Sequence, residues 1–372
     1  MSTVPTYFKD FLSSIRLTDN QRSDLITGHK TLRERLEKDS ELSKIIIGTF
    51  LQGSYRRSTA VKPKNGVRAD VDVIVVTSLD SEEYSPQEAL DLFVPFLEKH
   101  YKDKYRVQGR SIGIELGYVN LDIVPTSAPS ESVKKVIASM GVKSDYSVED
   151  FFGLSIATDA SLTHSAALNE AYMFFSEASA APQWKLDPLL IPDREADKWD
   201  ETHPLEQIRW TQEKNKKCNG HYVNVVKAIK WWKKINMEAV KHPKSYPLEH
   251  FIGECCPDNI NSVAEGIVAV FETMISNYPV KPFLGDRGVP EHDVLGQLKE
   301  EDYDIFYAAV SDATILAREA LDDEVLSDSV EKWCQLLGTE FPSPPSNKSS
   351  SSHSGFTPRN SKTEGVPSGR FA

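Results

Sequence analysis

The run Arg68-Ala69-Asp70-Val71-Asp72-Val73-Ile74-Val75-Val76 sets two acids inside an otherwise apolar, β-branched stretch. Such a stretch reads as a buried strand. Side chains alternate along a strand, so Asp70 and Asp72 project from one face while Val71 and Val73 project from the other. The valine face demands a covering layer. The acidic face is harder to place, because two carboxylates on one side of an apolar strand repel unless a cation lies between them. Hard oxygen ligands suit magnesium, with substrate phosphates completing the octahedron. A strand with one solvent-facing side accounts for the alternation equally well, and the run alone leaves both readings open. Asp122 in Val119-Asn120-Leu121-Asp122-Ile123 shifts the balance. On a strand beside the first, it would complete three carboxylates able to share two divalent cations, as two-metal phosphoryl transfer requires.

The rest of the chain can be organised around that strand. Thr18 and Gln21 form a T-x-x-Q capping box, and Leu25, Leu32 and Leu36 recur at helical spacing, which predicts a helix to about Asp39. The apolar run from Ser43 to Gln52 predicts a strand ending at Gly53-Ser54. Ser85-Pro86-x-Glu88 opens a further helix, which Pro95 must kink or shorten. YRVQGRSIGIEL and YVNLDIVP then predict two more strands, paired through a turn at Gly117. Helix beside mixed sheet makes the first half α/β or α+β. From about Pro182 a Pro-punctuated connection leads into helical sequence, with apolar faces over Tyr222 to Trp232, Val263 to Ile275, Ile305 to Leu321 and Val330 to Leu337. Beyond Phe341 the chain is rich in Ser, Pro, Gly and Asn and poor in aliphatic residues, which predicts a disordered tail. The expected division is therefore a sheet core with its N-terminal helix over residues 1–181, a helical lobe over 182–341 and a tail over 342–372.

With 372 residues the chain can bury a large core without staples. Cys218, Cys255, Cys256 and Cys334 have no zinc-ligand spacing and are expected as free thiols. Lys+Arg 43 against Asp+Glu 55 gives a net charge of −12, the wrong sign for gripping a long duplex. No apolar stretch reaches the ~20 residues of a membrane span and no leader opens the chain, so the expected location is the cytoplasm, with no membrane partner.

Gly53-Ser54 ends an apolar strand and opens the polar stretch Tyr55-Arg56-Arg57-Ser58-Thr59. Glycine lets backbone N–H groups approach phosphates, serine adds a hydroxyl, and a following helix would add its N-terminal dipole. No P-loop, dinucleotide-binding or zincin motif occurs. Gly-Ser after an apolar run, a D-x-D strand and a lone Asp on a later strand together resemble the polymerase-β type nucleotidyltransferases. The fuller string QGSYRRSTAVKP, with LLIPDR, the W-x-E-T-x-P of Trp199 to Pro204, VVKAIKWWK and SYPLEHF, is similar to the bacterial cGAS/DncV-like nucleotidyltransferases and the helical lobe they share with oligoadenylate synthases.

That resemblance implies a polymerase-β-like core with a helical C-terminal lobe and the donor nucleotide in the cleft between them. It implies metal-binding, catalytic roles for Asp70, Asp72 and Asp122, with two Mg²⁺ ions for which Mn²⁺ can substitute, and Asp122 nearest the activated hydroxyl. Gln52, Gly53 and Ser54 match the loop around the donor triphosphate, Lys230 a phosphate-binding lysine, and Ser245-Tyr246 a phosphate hydrogen bond and a base-stacking face. A snorkelling Lys230 and a core Tyr246 are the plain alternatives. The implied reaction joins ATP and other ribonucleoside triphosphates into a cyclic di- or trinucleotide messenger for antiphage defence. Its rivals are a linear 2′-5′ oligoadenylate, an RNA 3′ tail and a silent nucleotide-binding scaffold. The acidic charge argues against activation by duplex nucleic acid. The resemblance also implies a protein partner, a ubiquitin-transfer-like conjugating enzyme acting at Ala372.

Overall fold

The computed structural model describes residues 2–64, 66–129 and 188–344. Ala372, the tail beyond residue 344 and the expected boundary at 181 and 182 lie outside the described residues.

Strands β1 (Ile46–Gln52), β2 (Asp70–Thr77), β3 (Tyr105–Val107), β4 (Ile112–Glu115) and β5 (Asn120–Thr126) form a sheet in the order β1-β2-β5-β4-β3. The pair β2 and β5 is parallel and the other neighbours are antiparallel, which makes the sheet mixed. Helices α1 (Pro5–Ile15), α2 (Asp19–Lys38), α3 (Gly53–Arg56), α4 (Pro86–Asp91) and α5 (Val94–Tyr101) accompany it. The capping box of α2 forms as the spacing predicts: Gln21 N–H donates to Thr18 Oγ1 at 3.2 Å and Thr18 N–H to Gln21 Oε1 at 3.0 Å. The sequence around Pro95 divides into α4 and α5, with Ser85 capping the first and Pro95 in the opening turn of the second. Alternation along β2 and β5 sends Val71, Val73, Val75, Leu121 and Ile123 into a core shared with Leu25, Leu32 and Leu36 of α2 and with Phe96 and Leu97 of α5. The acids point to the opposite face.

Two expectations are corrected. YRVQGRSIGIEL is not one strand but the hairpin β3–β4, closed by Gln108 N–H donating to Ser111 O at 2.8 Å; the polar Gln108 to Ser111 stretch turns the chain where an unbroken ladder was expected. The described part of the Pro-punctuated connection, from residue 188 on, contains a two-stranded ribbon, β6 (Leu189–Asp193) with β7 (Lys198–Thr202). Its turn is held by Asp193 Oδ1, which accepts from the N–H groups of Glu195 at 3.1 Å and Ala196 at 3.0 Å.

The helical half comprises α6 (Pro204–Lys217), α7 (Tyr222–Asn236), α8 (Ser245–Cys255), α9 (Val263–Asn277), α10 (Glu300–Asp322) and α11 (Leu326–Leu337). The sequence reading found the apolar faces of four of these and did not pick out α6, whose PLEQIRWTQEKNKK is mostly polar, and α8, whose SYPLEHFIGEC carries a proline and a glycine. Helix α7 lies at the centre, with Tyr222, Val225, Val226 and Ile229 buried in a second core. Phe8, Phe11, Leu12 and Ile15 of α1 join this second core, so the chain's first helix packs with the helical half while α2 packs with the sheet. Cys218, Cys255, Cys256 and Cys334 are free thiols. Among the described residues no helix is long and apolar enough to cross a membrane.

Candidate active site

Register places the acids. Gln52 of β1 pairs with Asp72 of β2, and Asp72 pairs in turn with Asp122 of β5, so the three lie in one row across the sheet. Asp70 stands two residues back along β2 on the same face. Asp70 is exposed at the strand's opening, whereas Asp72 and Asp122 are half-buried. Burial, then Asp70 and Asp122, push the Asp72 carboxyl up to about 7. Burial, then Asp70, raises Asp122 as well. Asp72 and Asp122 thus feel the neighbouring acids where burial has removed part of their solvent. Oxygen-only ligands with uncompensated negative charge fit a hard divalent cation. Among the described residues no group of three His, Cys, Asp or Glu side chains is arranged to hold a metal ion as the side chains stand.

Asp122 is held by the hairpin that the sequence reading did not anticipate. Gln108 Nε2 donates to its Oδ1 at 3.2 Å and Ser111 Oγ lies 3.4 Å from the same atom. Gly113 is the β4 residue opposite Asp122, and a Cβ there would stand 2.4 Å from Gln108 Nε2, so a larger residue would displace the group that orients the acid.

Gly53 has two reasons to be glycine. Its φ of +80° lies in the left-handed region, and a Cβ would fall 1.8 Å from Asp72 Oδ2. The end of β1 therefore rests against the metal-ligand candidate. The following α3 is a single turn; Thr59 N–H donates to Ser54 O at 2.9 Å and brings the stretch from Ser54 to Thr59 back on itself.

That stretch meets the helical half through a buried charge network. Arg57 Nε donates to Glu249 Oε1 at 2.7 Å, and Thr59 Oγ1 donates to Glu249 Oε2 at 2.7 Å. Lys230 Nζ donates to Thr59 O at 2.9 Å and stands 3.6 Å from Glu249 Oε2. Lys230 comes from α7 and Glu249 from α8, and they are only 9% and 3% exposed. Burial lowers the Lys230 ammonium, while Glu249 and Asp70 act to raise it. Lys230 is thus no surface lysine; it is an interior cation electrostatically coupled to Asp70. Arg57 carries its guanidinium 5.0 Å from the centre of the Tyr246 ring, and the Tyr246 hydroxyl donates to Asp286. Burial and Arg287 push His250, edge-on to Tyr246, to about 3, so it offers that ring a neutral neighbour.

The structure thus unites Gln52, Gly53, Asp70, Asp72 and Asp122, links Ser54 through Thr59 to Lys230, and brings Tyr246 in through Arg57. Ser245 opens α8 one residue before Tyr246. Sequence reasoning missed Arg57, Thr59, Glu249, Gln108 and Ser111. Arg57 and Thr59 lie inside the QGSYRRSTAVKP string that was singled out, but their partner Glu249 is 192 residues from Arg57 and carries no local signal.

Residues 1–137, which hold the whole acidic row and the Gly53 loop, match the family of the Second Messenger Oligonucleotide or Dinucleotide Synthetase domain. The similarity of the full chain decides the family. A cyclic AMP-AMP-GMP synthase of Enterobacter hormaechei subsp. hoffmannii (strain UCI 50) is 45% identical, with 98% of each chain covered. A probable cyclic AMP-AMP-GMP nucleotide synthase of Salmonella paratyphi B is 46% identical over 98% of both chains. The chain belongs to the bacterial cGAS/DncV-like nucleotidyltransferases. The fold agrees with this family: CdnC of E. coli MS115-1, solved with ATP, superposes with a TM-score of 0.62 at 17% identity, covering 92% of this chain and 100% of that one. As a member of this family the protein is a nucleotidyltransferase that builds cyclic oligonucleotides.

Proposed function

We propose that this enzyme condenses ATP and GTP into a cyclic AMP-AMP-GMP trinucleotide that serves as an antiphage signal in the bacterial cytoplasm. The observation that carries the chemistry is the row of Asp72 and Asp122, with Asp70 beside it, standing against the Gly53 loop and electrostatically coupled to Lys230 and Arg57. The choice of bases rests on the two full-length relatives named for that product.

Asp70, Asp72 and Asp122 would hold two magnesium ions, which when bound lower the pKa of the attacking hydroxyl and neutralise triphosphate charge. The chain's own residues do the rest. Asp122, its Oδ1 engaged by Gln108 and Ser111, would serve the acceptor hydroxyl through its carboxylate. The hydroxyl gives its proton to Asp122 as its oxygen attacks the α-phosphorus of the donor, the bond from that phosphorus to the bridging oxygen breaks, and pyrophosphate departs. Lys230, Arg57 and the Gly53-Ser54 loop supply positive charge and donors to the polyphosphate as its charge grows. Tyr246 offers the donor base a ring face. Repeating the step on the new chain and then on its own hydroxyl closes the ring.

Purified enzyme incubated with each labelled nucleoside triphosphate and Mg²⁺ tests this reading. The expected product resists phosphatase and contains two adenosines to each guanosine. A phosphatase-sensitive ladder would establish the linear alternative, and no product from any mixture would establish the silent scaffold. Magnesium identity is checked in the same assay by chelation and by adding back Mg²⁺ or Mn²⁺.

The net charge of −12 leaves little surplus for neutralising a duplex. Product formation is expected to stay at its basal rate when duplex DNA or RNA is added, and strong, salt-sensitive stimulation would reverse that expectation. The same reading includes a conjugating protein partner acting at Ala372. In cells expressing that partner, wild type should give a higher-mass adduct on an immunoblot and Ala372→Glu should not.

A further inference from the structure

Glu249 contributes a single carboxylate to a buried place that contains two cations. Its two oxygens accept from Arg57 Nε and Thr59 Oγ1, both at 2.7 Å, and Lys230 Nζ stands 3.6 Å away. A latch that merely joined two halves would balance one charge with one charge, since every unpaired buried charge is costly. Here the network keeps a surplus of one positive charge, and its electrostatic neighbours are Asp72 on the Arg57 side and Asp70 on the Lys230 side. The two cations also come from different halves, Arg57 from the loop after Gly53-Ser54 and Lys230 from α7. Glu249 lies one turn along α8 from Ser245 and Tyr246, so the same helix carries the aromatic ring against which Arg57 rests. One carboxylate therefore fixes the spacing between the loop, the lysine and the aromatic ring.

We infer that Glu249 is a positioning residue for nucleotidyl transfer: its carboxylate holds Arg57 and Lys230 across the cleft at the separation the donor triphosphate needs, without touching the nucleotide itself. This rests on the reading of Lys230 and Arg57 as phosphate ligands. The surplus charge has a direct consequence. Neutralising Glu249 makes the cleft more positive, so attraction for a polyanion is retained or strengthened while the aim of the two cations is lost. A structural latch predicts instead that binding, rate and stability fall together.

The experiment compares Glu249→Gln, Glu249→Asp and Lys230→Met in the full-length enzyme. It measures kcat and KM for ATP, affinity for a non-hydrolysable ATP analogue, and melting temperature as the check that each variant is folded. The expected result for Glu249→Gln is a fall in kcat of about 10- to 100-fold with KM and analogue affinity unchanged or improved. Glu249→Asp keeps the charge with a shorter reach and should recover part of kcat. Should Glu249→Gln not fold, Glu249→Asp carries the test, with a reduced kcat at unchanged KM expected. Wild-type kcat in either folded Glu249 variant beside an impaired Lys230→Met overturns the positioning role alone, as does a rise in KM that accounts for the whole loss. Wild-type kinetics in Lys230→Met overturns the phosphate-ligand reading on which it rests.

Discussion

Asp70→Asn with Asp72→Asn is expected to lower cyclic product formation by about three orders of magnitude or more, while raising the melting temperature of the metal-free protein. The two effects have one cause. Asparagine keeps the size of aspartate but cannot supply the charge that binds a divalent cation, and the charge it removes is the one that destabilises the empty site. Asp72 shows the sign. Its carboxyl is pushed up to about 7 by burial, then by Asp70 and Asp122, from an ordinary value of 3.8. A carboxyl whose folded pKa lies above its unfolded one contributes stability that is present below the unfolded value and lost as the pH rises through the folded value. The ionised side chain therefore costs the native state most above pH 7, on the order of 2–4 kcal/mol. In chelator at pH 8 the double variant should melt several degrees above wild type, with the gain shrinking steadily towards pH 4. Thermal melts across that range, run beside turnover in Mg²⁺, read both effects. Product formation near the wild-type rate would sink the metal-carboxylate reading, and a lower melting temperature in chelator would show that the three acids do not strain one another.

What the sequence made legible was local. The alternation in Asp70 to Val76 named the acidic face because a strand's period of two acts residue by residue, and the capping boxes of α2 and α4 span four residues each. The Gly-Ser turn and the later Asp122 could be read as a set through resemblance; that they share a row of the sheet is a fact of strand order, with β5 inserted beside β2 by a crossover. Residues bound through long-range contacts stayed hidden. Glu249 looks like an ordinary helical glutamate in SYPLEHF until the fold brings Arg57 and Lys230 to it. Lys230 shows the converse. Amphipathic spacing put it at the edge of an apolar face, where a snorkelling role would suffice, and only the fold shows its ammonium buried against Thr59 and Glu249.

Gly53→Ala is expected to reduce kcat by about 100-fold, with a modest loss of stability. The residue's φ of +80° strains any side chain, at a cost of about 1 kcal/mol, and that part lowers the melting temperature by a few degrees. The catalytic part comes from contact. The new methyl would stand 1.8 Å from Asp72 Oδ2 and 2.9 Å from its Cγ, distances that force the carboxylate aside. Asp72 has little freedom to give way, because its backbone is paired with Gln52 on one side and Asp122 on the other. A displacement of about 1 Å at a metal ligand is enough for a hundredfold loss. Gly66→Ala separates strain from contact: Gly66 has a φ of +74° and, among the described residues, no atom within 4 Å of where its Cβ would sit. Both variants should lose similar stability, and only Gly53→Ala should lose turnover. Equal turnover in the two would show that Asp72 tolerates displacement. Loss of turnover in both would trace the effect to strain in the segment leading into β2 instead of to the carboxylate. Metal titration completes the comparison, since a misplaced Asp72 should raise the Mg²⁺ concentration needed for half-maximal rate in Gly53→Ala and leave it unchanged in Gly66→Ala.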